Sequence, residues 1–239
     1  MKIYKNSSKR WIARLGAVCL LSLFLSSCLK DTNNYYAPPV AYLSFIQASP
    51  DQPPMDFYLN NNKVNWDPLN YGNEIDYIRA YTGTRTANFY NQNSATKIFS
   101  DTIHLNANVA YSLFLANTTA HPELVLLTDS LSQPSSGNAG IRFVNVSPDA
   151  PAVDLAVQGG SVLVTNKSYK GSSSFLPILG GKSYVFEVRQ KGTSTVLATL
   201  GSVNLNVGQV YTIWFHGLAT PTNATDKLAA DIITNAYYY

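Results

Sequence analysis

Two eight-residue stretches carry the residue types best suited to acid–base or metal chemistry. SPDQPPMD runs from Ser49 to Asp56 and SPDAPAVD from Ser147 to Asp154, 98 positions later, and each holds two aspartates five apart. Paired carboxylates can divide a glycosidase's work when they face each other across a sugar and one has a raised pKa. They can also offer hard oxygen ligands to calcium. A calcium site takes about six to eight oxygens, and neither stretch continues into a dense Asp, Asn or Glu loop. Two copies of one turn, each with its own pair, do not provide a glycosidase's unequal partners. A structural reading accounts for every position. Pro50 and Pro148 push Ser49 and Ser147 toward extended geometry and preset a tight turn. Asp51 and Asp149 then sit where an Asx side chain accepts from nearby backbone N–H groups. Pro53 and Pro151 keep the loop from adding to a sheet edge. Val153, Leu155 and Val157 alternate inward, so Asp154, like Asp56 in the first copy, points to a wet or interdomain face.

The other chemistries fare no better. His104 is out of phase with Ile103 and Leu105 and reads as solvent-facing, His121 precedes Pro122 in a loop, and His216 ends the strand YTIWFHG. No pair has metal-ligand spacing, and no Gly-x-Ser-x-Gly elbow occurs. LGGKSY (Leu179 to Tyr184) lacks the spacing and following helix of a phosphate loop, so Gly180–Gly181 reads as a hairpin turn. The expectation is no catalytic residue, no metal site and no cofactor. Aromatics offer a different possibility. Trp66, Tyr71, Tyr77, Tyr81 and Tyr90 crowd a stretch dense in Asn and Asp. They can fill the half-buried faces of a sandwich, or stack on sugar rings beside amides that bond the hydroxyls. The candidate ligand-binding residues are therefore Trp66, Tyr71, Tyr81 and Tyr90, with Asp56 and Asp154.

The elements that position these residues begin after an N-terminal address. Lys2, Lys5, Lys9, Arg10 and Arg14 precede an apolar run of 11 residues, Leu15 to Leu25, and no acid occurs before Asp31. A membrane-crossing helix needs about 20 apolar residues, whereas this run suits a secretory signal. It ends in LSSC, which resembles the bacterial lipoprotein signal. The resemblance implies cleavage after Ser27 and lipid on Cys28, which leaves no free thiol, since Cys19 lies in the removed segment. The remaining chain carries 12 Lys and Arg against 14 acids, a net charge of −2. No basic stripe remains to meet phosphates, so a nucleic-acid partner is not expected. The lipid exceeds what stable anchoring requires, so the expected partners are the membrane, through that anchor, and a glycan or protein. The site is the cell envelope, at the outer membrane, with the periplasmic or surface face open. Asp101–Thr102–Ile103 and Asp129–Ser130–Leu131 resemble the short O-glycosylation site of Bacteroidetes, with Thr102 and Ser130 as acceptors.

The rest of the chain is a duplication. Leu43 matches Ile141, Phe45 matches Phe143, Phe57 matches Leu155 and Tyr71 matches Tyr169 at offset 98; LNANVAYSLF (Leu105 to Phe114) matches LNVGQVYTIW (Leu205 to Trp214) at offset 100. Repeats this long are domain duplications rather than solenoid units. Within each, the apolar period is two and Gly, Asn and Pro clusters punctuate it. About seven strands per unit are expected and no helix. IRFVNVSPDAPAVDLAV and LPILGGKSYVFEVRQKGTSTVLATLGSVNLNVGQVYTIWFHG resemble the bacterial domain-of-unknown-function family numbered 4397, with the first unit a drifted copy. The resemblance, to a tandem lipoprotein of Bacteroidetes type, implies immunoglobulin-like or transthyretin-like sandwiches and no established activity. The expected organisation is a signal peptide over 1–27, lipidated Cys and tether over 28–40, an all-β sandwich over 41–129, a linker over 130–139 and a second sandwich over 140–239. The functional expectation is a non-catalytic adhesion, scaffold or binding protein of the envelope. A glycan-binding lipoprotein of a polysaccharide-uptake system is the alternative.

Overall fold

The computed structural model describes residues 37–238. The segments expected to be the signal peptide, the Cys28 lipid site and most of the tether lie outside the described residues. Residues 39–238 belong to one compact unit. Its first half holds β1 (Val40–Gln47), β2 (Met55–Leu59), β3 (Asn62–Lys63), β4 (Glu74–Tyr81), β5 (Gly83–Asn91), β6 (Lys97–Leu105), β7 (Ala110–Ala116) and β8 (Glu123–Asp129). The second half repeats them as β9 (Asn138–Asn145), β10 (Val153–Val157), β11 (Val162–Lys167), β12 (Leu176–Leu179), β13 (Lys182–Gln190), β14 (Val196–Leu205), β15 (Gln209–His216) and β16 (Ala229–Tyr237). Each half thus has eight strands rather than about seven. The addition is a short strand after the second; in the first half, β3 is two residues long, too short for alternation to register.

Four sheets result, ordered β4-β1-β7-β8 and β3-β2-β5-β6 in one half, β12-β9-β15-β16 and β11-β10-β13-β14 in the other. The duplication extends to register: β1 runs parallel to β7 with Tyr42 opposite Ala110, and β9 parallel to β15 with Gly140 opposite Val210. Gly180–Gly181 is not a hairpin, as expected from sequence, but carries the chain from β12 in one sheet to β13 in the other. A Cβ on Gly180 would meet the Val207 backbone at 2.8 Å, and Gly181 has φ +69°, so the switch needs both glycines.

Inward-facing residues of each sheet pair form a sandwich core. In the first, Phe57 stacks between Phe45 and Phe89 with ring centroids 4.7 and 5.0 Å away. In the second, Phe143, Leu155, Phe186, Val188 and Phe215 fill the same space. The opposite faces of β1 and β7, and of β9 and β15, are buried as well. Ile46, Ala48, Phe114 and Ala116 pack with Val144, Val146 and Trp214 in a third cluster. The alternation is therefore apolar-in and interface-out rather than apolar-in and wet-out. The two sandwiches meet through their β1/β7 and β9/β15 sheets.

Within that contact lies a buried polar network. The Arg142 guanidinium donates to Asp129 at 2.5 Å, to Ser112 Oγ at 3.1 Å and to Thr212 Oγ1 at 2.9 Å. Ser112 and Tyr77 hydroxyls donate to the other Asp129 oxygen at 2.7 and 2.5 Å. Thr212 donates to Asn235 Oδ1 at 2.6 Å, and Asn235 Nδ2 donates to Tyr77 Oη at 2.9 Å, closing a ring. Phe175 lies under the guanidinium, 4.6 Å from its ring centroid. Strand registers make these residues equivalent pairs. Ser44 corresponds to Arg142 at offset 98 and Ser112 to Thr212 at offset 100. Tyr111 faces Thr128 as Tyr211 faces Thr234, so Asn235 follows Thr234 as Asp129 follows Thr128, with a bulge at Asn235 that leaves Ala236 opposite Val210. Leu43 faces Ile78 as Ile141 faces Leu176, which pairs Tyr77 with Phe175.

The side chains of Arg142 and Asp129 are 3% and 0% exposed. Removing either partner strands a charge where water cannot reach it. Arg142→Ala should lower unfolding stability by about 3–5 kcal/mol, and Tyr77→Phe, which deletes one hydroxyl, by about 1 kcal/mol, both read from urea midpoints. A loss under about 1 kcal/mol for Arg142→Ala would mean that the pair behaves as a surface contact.

Candidate functional site

The repeated aspartates are structural, in ways more specific than the sequence suggested. Asp51 and Asp149 do not cap their own turns. Asp51 Oδ1 accepts from the Thr119 N–H at 2.8 Å, and Asp149 accepts from the Ala219 and Thr220 N–H groups at 2.8 and 3.1 Å and the Thr220 hydroxyl at 2.9 Å. Each therefore fastens the Ser-Pro-Asp turn to the loop leaving β7 or β15. Burial opposes the charge on Asp149, but the Ala219 and Thr220 donors outweigh it and hold the carboxyl below its usual range. In the same turns Gln47 Oε1 and Asn145 Oδ1 accept from the Ser49 and Ser147 N–H groups at 2.6 and 2.9 Å.

Asp56 and Asp154 do not face water or the other sandwich. They are 3% and 5% exposed. Asp154 accepts from the Asn166 N–H at 2.7 Å and the Gly192 N–H at 2.9 Å; Asp56 accepts from the Asn93 N–H at 3.0 Å and pairs with Lys63 Nζ at 2.8 Å. Gly192 and Asn93 sit in the hairpin turns β13–β14 and β5–β6, so both aspartates tie the tip of the neighbouring hairpin to the second strand of each repeat. Burial raises the Asp56 pKa, while Lys63, Asn93 and Asn65 lower it further, and the net shift is downward. These oxygens are bonded to N–H donors and a lysine, and Asp56 lines one depression with Tyr90.

The aromatic candidates separate. Tyr90 meets Tyr58 edge-on at 5.2 Å, with Lys97 Nζ 5.5 Å from its ring. Tyr81 is 57% exposed with the Arg85 guanidinium 6.0 Å from its ring. Each borders its own shallow depression. Tyr71 crosses to the second sandwich, where its hydroxyl bonds His216 Nδ1. Burial, then the charges of Asp226 and Asp231, push its phenol pKa up. His216 is thus no surface strand end: it is 3% exposed, stacked on Trp214 at 4.0 Å, and bonded through Nε2 to Asp231 at 3.0 Å. Tyr169, the equivalent of Tyr71, crosses the other way and donates to Glu123 at 2.8 Å. The equivalent tyrosines Tyr71 and Tyr169 thus make reciprocal bonds between the repeats.

Trp66 stands apart. Its side chain is 98% exposed, on the 64–73 loop between β3 and β4. The loop is pinned on both sides of it. Asn65 Oδ1 accepts from the Phe57 N–H at 2.7 Å, Asn65 Nδ2 donates to the Asp67 carbonyl at 2.8 Å, and Leu69 exchanges backbone bonds with Met55 at 3.0 and 3.1 Å. With its backbone fixed and no neighbour covering it, the indole borders a cleft of about 700 Å³. One wall is this loop with Glu74 and Ile75; the other is Trp214 with Asp231, Ile232 and Ile233 of the second sandwich. The His216 bond, then burial against it, then the His216 charge set the Asp231 carboxyl below its usual range. Burial and the adjacent Asp76 push Glu74 up. Sequence reasoning found Trp66 but missed the far wall, since Trp214 and Asp231 face the 64–73 loop only through the packing of the two halves. Among the described residues no cluster of three His, Cys, Asp or Glu side chains is placed to hold a metal ion.

Residues 41–156 match the family model "Domain of unknown function (DUF4397)", which supports assignment to that family. The match covers the first sandwich and the first two strands of the second, so it falls on the repeat read as the drifted copy. No curated protein matches the chain. Among solved structures it is similar to CBMbc, of family CBM26, from Eubacterium rectale Amy13K in complex with maltoheptaose, at 9% identity over 82% of this chain and 97% of that one, with a TM-score of 0.25.

Asp56, Asp149 and Asp231 all have folded pKa values below the unfolded value of 3.8. Their contribution is full above that value and drains as pH falls through the depressed folded values, where the unfolded chain binds more protons. Urea midpoints should fall steeply below about pH 4. Asp149→Ala should cost about 1 kcal/mol at neutral pH, the low end because the site is exposed, and should flatten the acid slope. Glu74 works in the opposite sense, so Glu74→Gln should raise the neutral-pH midpoint. An acid slope unchanged by Asp149→Ala contradicts the assigned role.

Proposed function

We propose that this chain is a non-catalytic, lipid-anchored protein of the cell envelope that serves as a binding module, with the Trp66 cleft as its binding surface. The observation that carries the reading is Trp66 itself. An indole held 98% in water on a loop pinned at both ends forgoes the burial that large aromatic side chains normally gain. Such a side chain stabilises nothing in its own fold and is pre-organised for a partner, since little rotamer or loop freedom is left to lose on binding.

A non-catalytic role is supported by how the acids are spent. Asp51, Asp56, Asp149 and Asp154 serve backbone N–H groups or a lysine. The one chain of groups resembling a catalytic relay, Tyr71–His216–Asp231, ends in a phenol whose pKa is raised, the opposite of an activated nucleophile. The anchor rests on the sequence: the basic start, the short apolar run and LSSC at Cys28. A second reading, glycan binding, is favoured by the flat aromatic face standing beside the Asn73 amide and the Asp67, Glu74 and Asp231 carboxylates.

Two measurements address these proposals. Cys28→Ser should move the protein from the membrane to the soluble fraction of fractionated cells; a variant that stays on the membrane defeats the lipid anchor. On a glycan array, full-length protein in detergent micelles should bind, and Trp66→Ala should abolish the signal. The variant should melt within about 0.5 kcal/mol of the parent, because the side chain packs on nothing. A silent array removes the glycan reading.

A further inference from the structure

The Trp66 cleft has a sign of charge, and this narrows its ligand. We infer that it takes a glycan segment free of acidic groups, neutral or amine-bearing, and discriminates against uronate, sulfated or phosphorylated chains; the inference rests on the binding reading above. Three carboxylates, Asp67 on the loop, Glu74 at the start of β4 and Asp231 on β16, line the cleft, and none of its lining residues is Lys or Arg. They come from both sandwiches, so a chain lying in the cleft has acceptors on two sides. Burial, then the neighbouring Asp76, disfavours ionised Glu74, whereas the bond to His216 favours ionised Asp231. An added anion would meet three carboxylates, of which only Asp231 is bonded to a nitrogen base, His216, and like charges repel.

Hydroxyls and ammonium groups suit the same acceptors, because an ionised carboxylate accepts but cannot donate. The cleft also supplies donors. The Asn73 carboxamide oxygen accepts from Asn70, at 2.8 Å from its backbone N–H, which leaves the Asn73 NH2 group to donate. Trp214 lines the cleft, is 1% exposed, and has an indole N–H with no acceptor in the protein. The apolar share of the lining, Pro68, Leu69, Ile75 and Ile232 beside the Trp66 ring, fits the C–H face of a pyranose. A cationic peptide could use the carboxylates too. It would gain most from an aromatic cage, and here one exposed aromatic face is on offer.

The test is affinity electrophoresis of the full-length chain in detergent micelles. The gels carry neutral polysaccharide (β-glucan, mannan), amine-bearing chitosan, or acidic polysaccharide (polygalacturonate, alginate, heparin), and a labelled oligoarginine peptide is titrated alongside. Expected is retardation by at least one neutral or amine-bearing chain, loss of it in Trp66→Ala, and none by the acidic chains. Asp67→Asn with Glu74→Gln should weaken the neutral interaction at least tenfold and admit acidic chains, with a urea midpoint no lower than the parent's as the check on folding. Trp66-dependent retention by acidic chains alone, or Trp66-dependent binding of oligoarginine without any glycan, overturns the inference and leaves the binding reading standing. Retention by nothing, with no peptide binding, overturns both.

Discussion

The structure turns on a guanidinium and a carboxylate that have no water. Arg142 and Asp129 lie between two sandwiches, each of which already has its own hydrocarbon core. A charge taken out of water is costly unless its partner and further donors or acceptors are in place. Here they are: Ser112, Thr212, Tyr77 and Asn235 bond the pair or each other, and Phe175 lies under the guanidinium. Apolar surface around the network would tolerate many packings, since hydrophobic contact has no direction. The ring of directed bonds tolerates very few. It fixes where one sandwich sits on the other.

That constraint is built from a duplication used unequally. Equivalent strands offer equivalent positions to each other, as the two halves of a self-complementary dimer interface do. Two identical copies would place like against like. The chain instead has Ser44 where the second repeat has Arg142, Asp129 where it has Asn235, Tyr77 where it has Phe175, and Ala116 where it has His216. The unlike residues put Arg142 on Asp129 and over Phe175, Asn235 on Tyr77, and His216 on Tyr71. The reciprocal tyrosines follow the same scheme: Tyr71 and Tyr169 keep their type and reach across, but meet a histidine on one side and a carboxylate on the other.

Much of this was legible in the residues. The alternation around Phe45 and Phe143 gave the strands, and the 98-residue offset gave the duplication and its register. What alternation cannot say is which side of a strand faces water. GIRFVNVS reads as apolar-in and polar-out, with Arg142 on the wet side; in the fold that side is the interface, and the arginine is 2% exposed. Asp51 and Asp149 were recognised as caps, yet their donors lie about 70 residues away on another loop, a distance no local turn rule reaches. His216 was placed at a strand end, which it is, but the Tyr71 and Asp231 that enclose it come from another repeat and another strand. Trp66 could be named as a candidate from its Asn-rich setting, whereas its exposure follows from Asn65 and Leu69 holding the backbone on either side.

The cleft is a consequence of the same asymmetry. Its near wall is a loop of the first repeat, and its far wall is β15 and β16 of the second, so it exists only while the two sandwiches are held in one arrangement. The Tyr71–His216–Asp231 bonds begin on the 64–73 loop and end on the far wall, fastening one to the other a short way from Trp66. A site on a single sandwich could keep its shape alone. This one inherits its rigidity from a buried ion pair: two walls from different repeats stay in register, and in the proposed binding role a ligand would meet Trp66 and Asp231 without having to order them first.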